Sequence, residues 1–295
     1  MPTTYTHFQF GQDCLRVLPP TIFRLQDQRK SLYHFGLQGP DLLFYGLPWR
    51  SAIRRHLGNG IHQEPARKLF ARIHEACLTY PRRSDELMVY AFGLLAHFIL
   101  DTYCHPYIER KEAVSGLSHN YIESQYDGHM MRQNGVGRPE AYPRSYLIEP
   151  NQADAEVIAA VYGVSSKEIF QCMNSQAQFL SLLSREGAGS RKLIRAFLRA
   201  VSSKGAYQDL MVEGQEDPAC RDSNLRLDKL RAMAQQAFAR LAPDLEAYLR
   251  QAKPLPALFD RDFGPGPDIR SIPVLSAEEE EAYDPEEGSM TWLKK

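Results

Sequence analysis

The sequence predicts an all-α protein, and three observations lead to this fold class. Apolar residues recur at three- and four-residue spacing in one segment after another, as in helices that bury one face. No segment shows a convincing alternation of apolar and polar residues, as half-buried strands do. Hydrophobic residues make up 43% of the 295 residues, enough for one large core. We therefore expect a single all-helical domain over residues 1–252, built as a multi-helix bundle.

Predicted helices follow one another along this whole domain. The central one, residues 84–103, begins with Ser84 as a candidate N-cap and is apolar on nearly every side, as a buried helix would be. Pro106 is expected to end this helix close to His105. Residues 37–50 are punctuated by Gly and Pro and are expected to form a connection. The predicted helices cover residues 4–18, 25–36, 63–80, 84–103, 118–133, 152–163, 165–185, 191–201 and 224–251.

The chain changes character at Lys253. Residues 253–295 are rich in Pro and Gly and then acidic, with a run from Glu278 to Glu281. This composition is typical of an arm that is partly wrapped on the body of a protein, and the acidic run is typical of a solvated segment. We therefore expect residues 253–295 to form a C-terminal extension.

Composition narrows the functional classes. The formal net charge of −1 gives no electrostatic argument for nucleic acid or for an anionic membrane surface. The longest apolar stretch, residues 89–100, is too short for a transmembrane segment and is expected to be a buried helix. The five cysteines are scattered and form no CxxC pair, so neither a disulfide framework nor a thiolate zinc site is expected. The N-terminus lacks the basic start and apolar block of a secretory signal, so we expect a cytoplasmic protein.

Two neighbouring segments carry metal-binding side chains at four-residue spacing. "AHFILDTYCHPYI" contains His97, Asp101 and His105. "SHNYIESQYD" contains His119, Glu123 and Asp127. Residues four apart lie on the same face of a helix, so the members of each pair project in one direction. Zinc prefers imidazole nitrogen and carboxylate oxygen at about 2.0–2.2 Å, and two such helices face to face could hold a metal cluster.

Simple packing explains most single histidines in helical proteins. His97 differs, because it lies in the apolar run "GLLAHFIL" with Asp101 one turn later, where a carboxylate needs a cationic partner. The whole set of residues at this spacing therefore favours a metal site over packing. An ordinary packed and hydrogen-bonded role is expected for the histidines without a patterned partner, namely His34, His56, His74 and His129.

Taken together, these residues resemble those of the zinc-dependent phospholipase C family, which is related in fold to the single-strand-specific zinc nucleases. The resemblance rests on "MPTTYTHFQFG", "GLQGPDLLFYG", "GIHQ", "LLAHFILDTYCHPYI" and "SHNYIESQYD", all within residues 1–130. The order His, Asp, His, HxxxD, His, HxxxE is specific as a set, although each piece alone is weak. The resemblance implies a helical bundle of the zinc-dependent phospholipase C type, with three zinc ions at the bottom of a cleft.

The resemblance also implies which residues bind the ions. The first zinc site would consist of Asp41, His62, His97 and Asp101. The second would consist of His105, His119 and Glu123. In addition, Asp101 would bridge to a third ion, for which His7 would supply the imidazole.

The third site is where this sequence departs from the family. In secreted relatives the site is completed by the amine and carbonyl of an N-terminal Trp, which this chain lacks. Removal of the initiator methionine would expose Pro2, whose amine and carbonyl could chelate the ion together with His7. Asp127 has no place in the ligand set. We expect it to orient a ligand imidazole such as His119, with a solvated charge on the helix surface as the alternative.

The chemistry of such a site is phosphoester hydrolysis. Two zinc ions about 3.5–4 Å apart clamp a phosphoryl group and lower the pKa of a bridging water, and the resulting hydroxide attacks phosphorus in line. Asp101 and Asp41 are the expected catalytic carboxylates. No protein nucleophile is required, in agreement with the lack of a GxSxG motif in the sequence. We therefore expect a phosphodiester hydrolase similar to phospholipase C, with two or three zinc ions.

Other functions stay open from the sequence. A zinc nuclease or a small-molecule phosphodiesterase could use the same fold, although the balanced charge argues against nucleic acid. The lack of an adjacent His-Asp dipeptide argues against the helical metal phosphohydrolases that are built on that pair. The lack of Glu-x-x-His motifs argues against a di-iron carboxylate protein of the four-helix type. A non-catalytic metal-binding scaffold is the last alternative, but three ligands at the second site leave an open position that favours catalysis. The expected partner is a phosphoester, with a phospholipid head group as one candidate.

Overall fold

The polypeptide folds into α-helices joined by short 3₁₀ segments. The computed structural model describes residues 4–45, 52–202, 207–251, 253–266 and 269–286, and these ranges contain no strand. The all-α prediction is therefore confirmed. The helices are α1 (Thr4–Cys14), α2 (Pro20–Gln28), α3 (Lys30–Gln38), α4 (Ala52–Gln63), α5 (Ala66–Thr79), α6 (Ser84–Ser115), α7 (His119–Gln133), α8 (Gln152–Tyr162), α9 (Ser166–Leu183), α10 (Ala188–Val201), α11 (Arg221–Gln251) and α12 (Ala277–Ala282).

Helix α6 runs through the centre of the fold. It packs against α1, α3, α5 and α11, and every side chain from Leu87 to Cys104 is buried. Among the helices described, α6 is long and apolar enough to cross a membrane, but its apolar window lies wholly inside the protein. The apolar stretch of residues 89–100 is thus a buried helix, as predicted.

Pro106 does not end α6, and the prediction that it would is wrong. The helix continues to Ser115 and ends at Gly116, whose φ of 74° provides a left-handed C-cap. Pro106 removes one backbone hydrogen bond from the helix. The helix tolerates this loss because the same turn is held by the core, where the Tyr107 side chain is fully buried. As a result, His105 projects from continuous helix.

Glycines bring the backbone of α3 directly against α6. A Cβ on Gly93 would lie 2.8 Å from the Cα of Gly36, and a Cβ on Gly36 would lie 2.5 Å from the carbonyl oxygen of Tyr90. Both distances are shorter than real Cβ contacts, so only glycine fits at either position. This contact places the end of α3, and with it the 3₁₀ segment Gly39–Tyr45 that follows, beside the middle of α6.

The other helices agree with the sequence prediction to different degrees. The predicted helix over residues 25–36 is two helices, α2 and α3, with a break at Arg29, where φ is −135°. Helix α4 is not predicted, because "AIRRHLGNGIHQ" contains two glycines and an asparagine, which have low helix propensity. Helices α5 and α7 to α11 lie within a few residues of their predicted positions.

The described part of the C-terminal extension belongs to the same core as the helices. Its buried side chains include Leu255, Phe259, Phe263 and Ile272. The expectation of a solvated acidic run is wrong at Glu280, which is fully buried. Its carboxylate accepts hydrogen bonds from Arg226 Nε and Nη2 at 2.8 and 2.7 Å. This pair joins α12 to α11.

Candidate metal centre

Four groups of potential metal ligands occur in the described part of the chain, and three of them consist of the residues that the resemblance assigns to metal. Within each group the histidine nitrogens and carboxylate oxygens lie within 4.8 Å of one another. These three groups are His7, His97 and Asp101; Asp41, His62 and His97; and His105, His119 and Glu123, while Glu109, Glu112 and His119 form the fourth. The structure therefore brings together all eight residues that the resemblance assigns to metal, and the groups could hold metal ions.

Asp101 lies at the centre of the cluster. Its Oδ1 atom is 3.3 Å from His7 Nε2 and 3.4 Å from His105 Nε2, and its Oδ2 atom is 3.2 Å from His97 Nε2. His97 and His105 lie one turn before and one turn after Asp101 on the same face of α6. His7 approaches from α1, and its ring stacks on that of His97 with the centroids 4.6 Å apart.

The second group is built around Asp41. Its Oδ1 atom is 2.8 Å from His62 Nε2, and its Oδ2 atom is 3.7 Å from His97 Nε2. Gly39 allows the chain to close onto this group, because its φ is 52° and a Cβ there would lie 2.5 Å from the His97 ring. The turn that carries Asp41 therefore requires glycine two residues earlier.

The third group joins α6 to α7. Glu123 Oε1 is 3.4 Å from His105 Nε2 and 3.1 Å from His119 Nε2. His119 is the first residue of α7, and the Ser118 hydroxyl caps the helix by accepting a hydrogen bond from the backbone N–H of Tyr121 at 3.2 Å. The cap fixes the first turn of α7, from which His119 and Glu123 both project.

Four of the imidazoles are oriented in the same way. Three of them donate Nδ1–H to a backbone carbonyl, and a carbonyl can only accept, so this nitrogen carries the proton. The pairs are His62 with Gly58 at 2.7 Å, His97 with Leu37 at 3.1 Å and His105 with Phe263 at 3.0 Å. His119 Nδ1 is 3.0 Å from Glu109 Oε1. Each Nε2 is left facing carboxylates, as in histidines whose other nitrogen is held while they bind a metal.

Unpaired buried atoms show that a cation fits this cluster. A neutral imidazole with Nδ1–H presents a lone pair at Nε2, which is repelled by a carboxylate oxygen unless a proton or a metal ion lies between them. Buried polar atoms are nearly always paired in folded proteins. In the cluster, the buried atoms without a hydrogen-bond partner are His7 Nδ1, His97 Nε2, Asp41 Oδ2, Asp101 Oδ2 and Glu123 Oε2. Nitrogen with carboxylate oxygen is also a donor set that suits zinc.

The cluster is enclosed on one side and open on the other. A cavity of about 20 Å³, enough for one water-sized body, is lined by the ligands His7, Asp101, His105 and Glu123 and by apolar side chains such as Leu100. Asp101 itself is 2% exposed. By contrast, the side chains of His62, His105 and His119 are 20%, 14% and 20% exposed. A molecule from solvent would therefore meet these three imidazoles first.

The charges in the cluster shift one another's protonation. Burial disfavours the charged form of His97, but Asp101 and Asp41 outweigh it and raise the pKa of His97 to about 9. Burial is likewise outweighed at His119, where Glu123 raises the pKa to about 9. Despite its own burial, Asp101 has a pKa well below the usual value because of the neighbouring imidazoles. Protons thus balance the carboxylates in the metal-free protein, and a metal ion would replace them.

Asp127 does not contact His119, contrary to the interpretation of the sequence. Its Oδ1 atom accepts hydrogen bonds from the backbone N–H and the hydroxyl of Thr6 at 2.8 and 2.7 Å, and its Oδ2 atom accepts one from the backbone N–H of Tyr5 at 3.3 Å. These are first-turn N–H groups of α1 that have no partner inside the helix. Asp127 therefore fixes the start of α1, directly before His7.

Sequence reasoning misses two residues of the site. Glu109 lies four residues after His105 and continues the spacing of the ligands, but the expected end of α6 at Pro106 hides this signal. Phe263 has no local signal at all. Its N–H donates to the carbonyl of His62 at 3.2 Å, and its ring centroid is 5.7 Å from that of the same histidine.

Two aromatic residues near ligands in the sequence have different surroundings. The Phe44 ring lies beside His62, with the centroids 5.2 Å apart, whereas Tyr121 donates its hydroxyl hydrogen to Asp217 at 2.7 Å. His129 is packed and hydrogen-bonded, as predicted: its ring stacks on that of Tyr126, and its nitrogens pair with Glu216 and Asp228. Pro2, which could chelate a metal ion together with His7, lies outside the described residues, and so does the side chain of His56.

No family model, no curated protein and no solved structure matches this chain. The fold and the cluster therefore define the class by themselves: an all-α protein with adjoining groups of buried and partly buried ligands that could hold metal ions. The resemblance to the zinc-dependent phospholipase C family stays a prediction from the sequence motifs.

Proposed function

We propose that this protein is a zinc-dependent phosphodiester hydrolase of the phospholipase C type. The observation that carries the proposal is the common orientation of four imidazoles, each with Nδ1 held and Nε2 facing a carboxylate. The unpaired carboxylate oxygens support more than one cation in the cluster. Zinc ions bound there would polarise a phosphoryl group and lower the pKa of a water molecule.

The ligands form separate groups, each of which could hold one zinc ion, and this supports two or three ions in the cluster. One ion would be held by Asp41, His62 and His97. Another would be held by His105, His119 and Glu123. Asp101 lies between these groups and also faces His7, so it is the carboxylate placed to serve more than one ion. A group of three protein ligands leaves a position for substrate, which favours catalysis over a closed structural site.

The exposed edge of the cluster supports a phosphodiester rather than a bare phosphate as substrate. The ring of the partly exposed Phe44 lies against the partly exposed His62 imidazole, and the buried ring of Phe263 packs against the same imidazole. Phe44 provides apolar surface beside the polar groups, which would bind an organic substituent on the phosphate. Glu109 and the backbone carbonyls meanwhile hold the imidazoles in place.

Metal analysis and one substitution test the proposal together. We expect two or three zinc ions per chain by elemental mass spectrometry, and hydrolysis within a panel of choline, nucleotide and simple aryl phosphodiesters. Asp101→Asn removes the central charge and should lose both metal and turnover while the helical circular dichroism spectrum is kept. Asp222→Asn is the matched control, because it removes a buried carboxylate that is paired with Lys111 at 2.6 Å, outside the cluster. Full turnover by Asp101→Asn would contradict the mechanism.

A structural metal site is the second candidate, and the small size of the cavity favours it. In that case zinc would still bind and raise the thermal unfolding midpoint, but no ester in the panel would be hydrolysed. A protein that takes up no zinc at all would contradict both candidates, and the four-residue spacing would then be a packing pattern.

A further inference from the structure

Helix α10 carries apolar side chains on two faces. On the inner face, Ile194 and Leu198 belong to a small buried core that α10 shares with neighbouring segments. On the outer face, Leu193, Phe197 and Val201 are 74%, 57% and 53% exposed. Their spacing of four residues makes them one stripe along the helix, which we call the outer stripe. The inner face already attaches α10 to the protein, so the outer stripe contributes nothing to that core.

The outer stripe is bordered by positive charge. Lys192 and Arg199 are both exposed and lie seven residues apart, on one edge of the same helix. Helix α10 contains no acidic residue that could neutralise them. By contrast, Arg195 is turned toward the protein, where its Nη2 atom is 2.5 Å from Glu213 Oε1. The net charge of −1 for the whole chain therefore conceals a local positive edge.

We infer that α10 docks this protein on an anionic lipid bilayer, with the outer stripe in the boundary between headgroups and acyl chains and with Lys192 and Arg199 at the lipid phosphates. A helix with an apolar stripe beside basic residues is the pattern of helices that lie in the plane of a membrane surface. Cations near an anionic leaflet are attracted to it within about one Debye length. The positive charge and the apolar stripe therefore both favour an anionic bilayer as the partner of α10.

The size and shape of the outer stripe favour a bilayer over a protein partner. A stable protein interface buries roughly 800 Å² on each partner. A buried aromatic side chain contributes about 150–250 Å² at most. One Phe with two smaller apolar residues on a single convex helix therefore falls short of such an interface. A bilayer needs no matching groove, because lipid closes around side chains that protrude.

A short series of contacts joins α10 to the metal centre. Arg199 Nε donates to Gln208 Oε1 at 2.9 Å, and the neighbouring Asp209 accepts a hydrogen bond from the Ser118 hydroxyl at 2.6 Å. Ser118 caps the helix that begins with His119. These contacts would connect a bilayer-bound α10, through Gln208 and Asp209, to the residue that caps α7. The docking itself needs no metal, so this inference goes beyond the proposed function and does not depend on it.

Vesicle sedimentation tests the inference. The full chain is mixed with vesicles of phosphatidylcholine alone or of equal parts phosphatidylcholine and phosphatidylserine, and the bound fraction is measured after centrifugation. We expect binding to the anionic vesicles that weakens as salt is added. Phe197→Ser should weaken it by about tenfold or more because an apolar anchor is lost. Lys192→Glu should have an effect of about tenfold on the anionic vesicles only.

Matched variants elsewhere on the surface provide the controls. Phe23 on α2 is 46% exposed, and Phe23→Ser should leave vesicle binding unchanged. Lys167 on α9 is exposed as well, and Lys167→Glu changes the net charge as Lys192→Glu does. Because all four positions are exposed, each variant is expected to fold, which circular dichroism would verify.

Three outcomes would overturn the inference. The first is a protein that stays in the supernatant with both kinds of vesicle. The second is equal binding by the wild type and Phe197→Ser, or equal binding to neutral and anionic vesicles. The third is a dimer in analytical ultracentrifugation that Phe197→Ser dissociates, without vesicle binding, since the outer stripe would then belong to a second copy of the chain. Loss of zinc or of hydrolysis would leave the vesicle result unaffected.

Discussion

Glu109 shows that the four-residue spacing of the ligands along α6 continues beyond the ligands themselves. It extends the four-residue spacing of His97, Asp101 and His105, and its carboxylate meets His119 from the adjacent helix. The ligands on α6 and α7 could be predicted because this interval is a local property of the sequence, whereas His7, Asp41 and His62 are implied only by the family resemblance. The carbonyls that hold the imidazoles could not, because a backbone oxygen leaves no trace in residue type and Phe263 is remote along the chain.

The contact between Glu109 and His119 makes a testable prediction. We expect Glu109→Ala to weaken zinc binding by about 10–100-fold, because partners that hold a ligand imidazole typically contribute this much. Glu109→Gln keeps an oxygen that accepts from Nδ1–H and should lose less. Competition with a chromogenic chelator measures the affinity. Glu156→Gln, at an exposed glutamate paired with Arg83, is the control. Equal affinity in Glu109→Ala and wild type would remove Glu109 from the site.

At the scale of helices, agreement with the sequence depends on whether a segment contains residues of low helix propensity. Helices α7 to α11 could be predicted, whereas two glycines and an asparagine hide α4, although it is a helix in the structure. The extent of α6 could not be predicted, because Pro106 is a breaker by its local chemistry and only the surrounding core overrides it. The sequence shows a glycine in each of the helices α3 and α6. It does not show that Gly36 and Gly93 contact each other, because that depends on how the two helices pack.

The close approach of α3 and α6 sets up a second prediction. Gly93→Ala raises helix propensity by about 1 kcal/mol, but the added Cβ meets backbone atoms that cannot move aside. We expect a net destabilisation of about 1–3 kcal/mol, the usual range for overpacking. Urea unfolding followed by circular dichroism measures it.

Gly60→Ala is the matched control, since a Cβ there meets no atom within 4 Å in the described structure. This variant should be neutral or more stable by up to about 1 kcal/mol. A Gly93→Ala protein as stable as wild type would show that the two helices can separate without loss.

For the whole molecule, the sequence indicates one helical core but not how the C-terminal extension joins it. Pro- and Gly-rich segments resemble arms whether or not they pack, and a run of glutamates resembles a solvated segment. The burial of Glu280 depends on Arg226 in α11, a residue that nothing near the acidic run reveals. The charge of a side chain is visible in the sequence, whereas its partner is not.

Protons in the cluster give a prediction for the stability of the whole protein. The pKa of His97 and that of His119 are raised from 6.5 to about 9 in the metal-free fold. A group whose pKa is higher in the folded state stabilises the fold fully below pH 6.5, and this contribution is lost as the pH rises through about 9. The metal-free protein should therefore become less stable across this interval. Its zinc affinity should rise over the same interval, because the imidazoles release protons on binding.

Thermal unfolding of chelator-treated protein at the two ends of this pH interval measures the effect. Zinc-loaded protein is the control, and its midpoint should change less because metal has replaced the protons. A metal-free midpoint that is the same at both pH values would contradict the raised pKa values.

Phe263 has a consequence for the order in which the molecule is made. The ribosome synthesises the helices that carry the ligands long before it reaches this residue, yet the carbonyl of Phe263 is what holds the His105 ring. Until then the His105 ring can still rotate. The ring is fixed only when residue 263 has been added and folded back onto α6. A metal ion between His105, His119 and Glu123 would therefore be held firmly only after residue 263 has been synthesised.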